Sequence, residues 1–279
     1  MAVLASGVSF SVSADQGGLQ IAVSIASQIP FVERIGGENV EVEVMVPPGS
    51  SPSTYEPTFQ QMAALEASQV YFTLSVPFED AWLRRIAESG PDLQIVAMDR
   101  DIDKMPIGGY GSQGSGRADP HHWLSPPYMR IMAITIYETL AEIDPANASY
   151  YFNNYRALAQ EINDLDSRLL ASLDDIEWGS NAFMVFHPAW GYFARAYGME
   201  QVAIETRGGE PTQAELAELV DFARERGVQV IFTAPQYSAR SAEAIAEEVS
   251  GFTVSMNPVD PDWFGSMEAA LEAFLDALE

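Results

Sequence analysis

The stretch DPANASYYFNNYRALAQEINDLDSRLLASLDDIEWG, Asp144–Gly179, decides the fold. Its apolar residues Tyr151, Tyr155, Leu158, Ile162, Leu165, Leu169, Leu173 and Ile176 recur at steps of three or four. That spacing puts them all on one face of a helix. Asp144 suits the N-cap, Pro145 the first helical position and Gly179 the residue past the end. The pattern predicts one helix of about thirty residues, roughly 45 Å long at ~1.5 Å per residue. Its apolar stripe reads as core packing rather than as a face for a partner.

On either side of this helix the chain alternates short β-rich runs with helical ones. Before it, residues 19–24, 39–47, 70–75 and 93–99 read as strands; after it, residues 182–186, 201–205, 228–234 and 252–256 do. Helical stretches separate them. Repeated βα units predict mostly parallel sheets covered by helices. The chain therefore reads as α/β, with two βα lobes joined by one long rigid helix. The expected boundaries are a tail at 1–18, a first lobe at 19–143, the linking helix at 144–178 and a second lobe at 179–279.

Composition narrows the function. Hydrophobic residues are 47% and charged residues 19%, which suits a globular protein with a sizeable core. Forty acids stand against fourteen bases, for a net charge of −26. Such a field repels nucleic acid and anionic membranes. It also suits a protein that must stay soluble in high salt. There is no cysteine, so disulfides, thiolate metal sites and cysteine nucleophiles are excluded together. No apolar run reaches the roughly 18 residues of a membrane span. The tail MAVLASGVSFSVSADQGG carries SVSA at Ser11–Ala14, which resembles a signal-peptidase site, without a basic start. We read it as the remnant of an export signal, and the protein as extracytoplasmic.

The chain has three histidines: His121 and His122, adjacent in RADPHHWLSPPYMR, and His187. Neutral imidazole is the commonest metal ligand among side chains. In open parallel sheets, ligands bind beyond the carboxyl ends of the strands. His187 follows directly on the strand AFMVF, and the loop VPPGSSPSTYEPT (46–58) follows another strand. With the His121–His122 turn, these loops converge on one cleft between the lobes. Before that turn, DKMPIGGYGSQGSGRADP (103–120) reads as a surface loop; no Gly-Lys-Ser/Thr follows to make it a P-loop.

VPPGSSPSTYEPT, DPHHWLSP, FHPAWGYFARAYG, VIFTAPQYSARSAEAIA and NPVDPDWFGSMEAALEAFLDAL occur in that order along the chain. In this order they resemble the zinc- and manganese-binding solute receptors of bacterial ABC transporters, the cluster A-I receptors, over residues 19–279. The resemblance implies a monomeric receptor that holds one divalent transition metal between its lobes, Zn2+ first and Mn2+ as the alternative, for delivery to an ABC permease. It also implies that His121 and His187 are ligands. Two further ligand positions of the family fall on Ser53 and Asn257, whose neutral oxygens are poor replacements.

Zinc takes four ligands, or three plus water. Glu205, at the end of a second-lobe strand, is the third ligand we prefer; the plainer reading is a salt bridge to Arg207. His122 is a further candidate, although adjacent residues in an extended turn point opposite ways, and packing beside Trp123 is the simpler reading. Glu56 reads first as a charge at a helix N-terminus. Asp119 either orients His121 or caps the turn. The segment before Asp-Pro-His contains no histidine, so the metal-scavenging loop frequent in the zinc receptors is absent.

Two alternatives remain on the sequence. One is a receptor on the same scaffold whose degenerate metal site now takes a chelated metal or another small solute. The other is a mononuclear zinc hydrolase, which lacks an identifiable base and any Gly-x-Ser-x-Gly or His-Glu-x-x-His. The reading is therefore binding, not turnover.

Overall fold

β1 (Leu19–Ile25) is buried from Ile21 onward, as a strand covered on both faces must be. It lies inside a four-stranded sheet of order β2-β1-β3-β4 with β2 (Val40–Val46), β3 (Val70–Thr73) and β4 (Gln94–Ala97), all parallel. At the β2 edge Glu41 and Glu43 face solvent, between half-buried valines. A second parallel sheet repeats the order as β6-β5-β7-β8, from β5 (Ala182–Val185), β6 (Glu200–Ala203), β7 (Val230–Thr233) and β8 (Phe252–Ser255). All eight expected strands are present. The computed structural model describes residues 18–89, 92–108, 118–174, 181–206 and 208–278. The expected export-signal remnant, the Gly179 stop, Arg207 and the centre of the Gly/Ser-rich loop lie outside them.

The helices of the first lobe are α1 (Ile29–Gly36), α2 (Phe59–Glu66), α3 (Pro77–Ser89) and α4 (Pro126–Ile143). Thr58, rather than Glu56, caps α2: its hydroxyl accepts from the Gln61 N–H at 3.2 Å, in a capping box. The second lobe carries α6 (Gly191–Ala196), α7 (Gln213–Arg226), α8 (Arg240–Glu248) and α9 (Trp263–Leu278). Thr212 caps α7 in the same way, and Gly227 ends it in the left-handed conformation, φ +66°. No helix among the described residues is long and apolar enough to cross a membrane.

The long helix is α5 (Ala148–Asp174), preceded by a 3-10 turn at Pro145–Asn147. It begins later than expected, because the chain turns once before the helix starts, and its expected end at 178 lies outside the described residues. The Asp144 carboxylate takes the Asn147 amide and the Tyr151 hydroxyl, each at 2.7 Å, at the start of α5. The stripe Tyr151, Leu158, Ile162, Leu165, Leu169 and Leu173 is buried as its spacing predicts.

One hydrophobic cluster runs from the first sheet through α4 and α5 to Phe183, Phe232 and Phe274. The opposite face of the second sheet packs separately on α7 and α8, around Ile231, Leu219 and Ile245. α5 is thus the spine of a core shared by both lobes. Two indoles tie the lobes further: Trp123 Nε1 donates to the Pro258 carbonyl at 2.7 Å, and Trp263 Nε1 to the Trp123 carbonyl at 2.8 Å. Both rings are fully buried.

Candidate metal centre

His121 begins a 3-10 turn, His121–Leu124, at the end of a long excursion from β4. The excursion is closed at its base by a bridge between Pro106 and Ala118 and by the Asp119 N–H to the Met105 carbonyl, 2.8 Å. Asp119 is buried, and its Oδ1 lies 2.9 Å from the His121 backbone nitrogen and 2.7 Å from His121 Nδ1. One carboxylate therefore both caps the turn and orients the ring. With Nδ1–H donated to Asp119, the lone pair of His121 sits on Nε2.

His187 follows β5, and the ladder between β5 and β6 continues past both strands. The Glu205 N–H donates to the Phe186 carbonyl at 3.0 Å, which sets Glu205 beside His187. Glu205 Oε2 is 2.9 Å from His187 Nδ1. The second imidazole is thus held like the first, by a carboxylate on Nδ1 with Nε2 left as the acceptor. Burial lowers the pKa of His187 below its ordinary value, and the Glu205 hydrogen bond opposes that only in part. Tyr237, in the loop after β7, stacks on this ring with centroids 4.5 Å apart and planes 22° from parallel. His187 and Tyr237 flank the switch point of the second sheet, where strand order reverses.

The two rings meet. His121 Nε2 and His187 Nε2 are 3.2 Å apart. Two neutral acceptors facing at that distance repel unless a proton or a cation lies between them. Two nitrogens bound to one tetrahedral zinc at ~2.0–2.1 Å would be about 3.4 Å apart. The spacing in the protein is close to that of two ligands sharing one ion.

The other candidates are placed as follows. Glu205 addresses His187 from the ring edge away from His121, where its Oε2 orients the imidazole. His122 is fully buried and turned into the first lobe, with Nε2 2.9 Å from Asp99 Oδ2. Ser53 and Ser51 hydrogen-bond the hydroxyl of Tyr237, the residue whose ring stacks on His187. Asn257 organises its own turn: Oδ1 accepts from Gln236 Nε2 at 2.8 Å and from the Val259 N–H at 3.2 Å, and Nδ2 donates to Asp260 at 3.1 Å. Among the described residues no three His, Asp or Glu side chains form a group able to hold a metal ion.

Sequence reasoning missed Tyr237 and Asp99. Both follow strands at their carboxyl ends, in β7 and β4, so the rule that singled out His187 applies to them as well. Tyr237 is not a usual ligand type and Asp99 is only one of forty acids, so neither stands out until its contacts are known.

Comparisons with known proteins place the chain among metal-binding proteins of known sequence and fold. The chain is similar to the manganese-binding lipoprotein MntA of Halalkalibacterium halodurans, 26% identical over 269 residues, covering 96% of this chain and 87% of that protein. It is also similar to the high-affinity zinc uptake system protein ZnuA of Bacillus subtilis, 26% identical over 266 residues, covering 89% and 81%. A crystal structure of ZnuA superposes with a TM-score of 0.88 at 35% identity, covering 94% of this chain and 100% of that one. Residues 21–277 match the model of the ZnuA family, described as zinc-uptake complex component A, periplasmic, and the chain belongs to that family.

Proposed function

We propose that this chain is an extracytoplasmic receptor that binds a divalent transition metal between its lobes and hands it to an ABC permease. The observation that carries the reading is the pair of Nε2 atoms of His121 and His187, 3.2 Å apart, each ring held by a carboxylate on Nδ1. Imidazole donors suit zinc better than manganese, which favours oxygen-rich shells. Zinc is therefore the first cargo and manganese the second. In this reading His121 and His187 are ligands, Asp119 and Glu205 fix their tautomers, and His122 is not a ligand. Water or a neutral hydroxyl completes the shell. The net charge of −26 draws cations towards the protein. The event is binding and release rather than turnover.

Isothermal titration of the metal-stripped protein with Zn2+ and Mn2+ tests the reading. The expected result is one site per chain, abolished by His121→Ala or His187→Ala. If neither ion binds the parent, the reading fails.

One observation favours a second reading. With no third His, Asp or Glu grouped with the pair among the described residues, a metal that arrives with its own chelator would complete its shell from that chelator. Titration with Zn2+ and with a zinc chelate separates the two: tighter binding of the chelate than of the free ion selects the second.

A further inference from the structure

His122 and Lys104 are left over by the proposed metal site. His122 is fully buried and does not face the pair, and Lys104 is the only lysine in the chain. Both reach the same atom. Asp99 Oδ2 lies 2.9 Å from His122 Nε2, 2.5 Å from Lys104 Nζ and 2.7 Å from Ser75 Oγ, while Lys104 Nζ also donates to Ser75 Oγ at 2.8 Å. The Asp99 carboxylate is 1% exposed, so its charge needs these donors.

The positions of the partners matter more than their number. Asp99 stands just after β4, where the excursion to the metal site leaves the sheet. Lys104 is near the start of that excursion and His122 at its end. One carboxylate thus clips both ends of the segment against the sheet that supports it. Ser75, the third donor, is itself held. It sits in the left-handed region at φ +61°, and its N–H donates to Glu79 Oε2 at 2.7 Å. Glu79 Oε1 takes the Leu74 N–H at 2.8 Å and the Ser24 hydroxyl at 2.5 Å, so the clip is continuous with β1 and β3.

Three consecutive side chains of the turn are then pinned to three different places. His121 is pinned to Asp119, His122 to Asp99 at the end of β4, and Trp123 to the Pro258 carbonyl in the second lobe. A turn fixed at only one of these points could rotate about the others, and a small rotation of His121 would carry Nε2 off the line to His187.

We infer that Asp99 and His122 are positioning residues for the metal site, with Lys104 as the built-in counter-charge, and that together they clip residues 100–108 and 118–121 to the sheet so that His121 points at His187. This rests on the metal-receptor reading of the same site. His122 acts through His121 and touches no metal.

The test uses the full chain with His122→Phe, which keeps a ring and loses the donor, and His122→Gln, whose amide can replace Nε2–H. Zinc affinity is measured by titration, and the metal-free proteins are examined by 15N-detected NMR of the histidine rings. We expect His122→Phe to weaken zinc about 10- to 100-fold, the range for lost outer partners of a metal site. We expect His122→Gln to bind within about threefold of the parent, because its restored bond leaves little of that 10- to 100-fold loss. Without metal, His121 should show one Nδ1-protonated tautomer in the parent and in His122→Gln, and an averaged signal in His122→Phe. Parent-like zinc binding and an unchanged His121 tautomer in a folded His122→Phe would overturn the inference. If His122→Phe does not fold, Lys104→Met provides the second variant: it must also average the His121 signal, and an unchanged signal overturns the proposal. If the parent binds no zinc, the receptor reading fails, while the NMR comparison still decides the positioning role.

Discussion

His121 and His187 stand 66 residues apart in the chain, and their Nε2 atoms stand 3.2 Å apart in the fold. Each comes from a different lobe, and each has its other nitrogen turned to a carboxylate. A site divided in this way depends on both lobes holding their positions, which the shared core around α5 and the buried indoles provide.

The two carboxylates should matter almost as much as the rings. Asp119→Asn and Glu205→Gln keep shape and remove the charge on Nδ1. Each is expected to weaken zinc about 10- to 100-fold, read by competition with a chromophoric chelator. A variant that binds within twofold of the parent would show that its carboxylate does not orient the ligand.

Zinc affinity should depend on pH through His187. Its pKa is lowered by burial, so the ring is neutral above the ordinary 6.5 and stays neutral somewhat below it. A protonated imidazole does not bind metal, so affinity is expected to be flat at neutral pH and to fall only in more acid solution. Glu205 raises the pKa of His187. Glu205→Gln should therefore move the onset of that fall to lower pH, even though it weakens binding overall. Titrations between pH 5 and 8 check both statements.

Glu79 gives a separate signature in stability. Burial pushes its carboxyl up to about 7, although Ser24, Leu74 and Ser75 all donate to it. A folded pKa above the unfolded one means that the native state holds the proton longer. Its contribution is then complete below about pH 4.5 and lost as pH rises through about 7. The swing is on the order of 3 kcal/mol. Glu79→Gln removes it, leaving a fixed offset from an amide facing the Ser75 N–H. Thermal unfolding of both proteins should show the variant gaining stability on the parent between about pH 5 and 8. Parallel curves would refute this.

Leu165 lies at the middle of the α5 stripe and is 1% exposed. Leu165→Ala should cost about 2–5 kcal/mol by lost burial and cavity formation. Because one cluster spans both lobes, denaturant unfolding should shift as a single transition when followed by probes in either lobe. Two separated transitions would show that the lobes unfold independently.

Much of this was legible in the sequence, for local reasons. Eight strands and the α5 stripe follow from periodicity and breakers, which act within a few residues. His121 and His187 were legible too, because a histidine at a strand's carboxyl end or in a Pro-flanked turn is already at the mouth of such a sheet. Glu56 was read as a charge at a helix N-terminus, and the cap itself is Thr58, two residues on. Ser53 and Asn257 marked a departure from the family pattern, but nothing in their neighbours along the chain told what they touch.

The sequence by itself determined the class of fold, the long helix, the anionic surface and the two histidines, since these depend on periodicity and residue chemistry. Only the tertiary structure decided which nitrogen of each histidine is free, that Glu205 meets His187 at Nδ1, that His122 turns inward to Asp99, and that Lys104 shares that carboxylate. The physical reason is direction. Where a side chain lies along the chain follows from local preferences, but where its atoms point is set by partners tens of residues away, through hydrogen bonds that exist only once the sheets and α5 have brought them together.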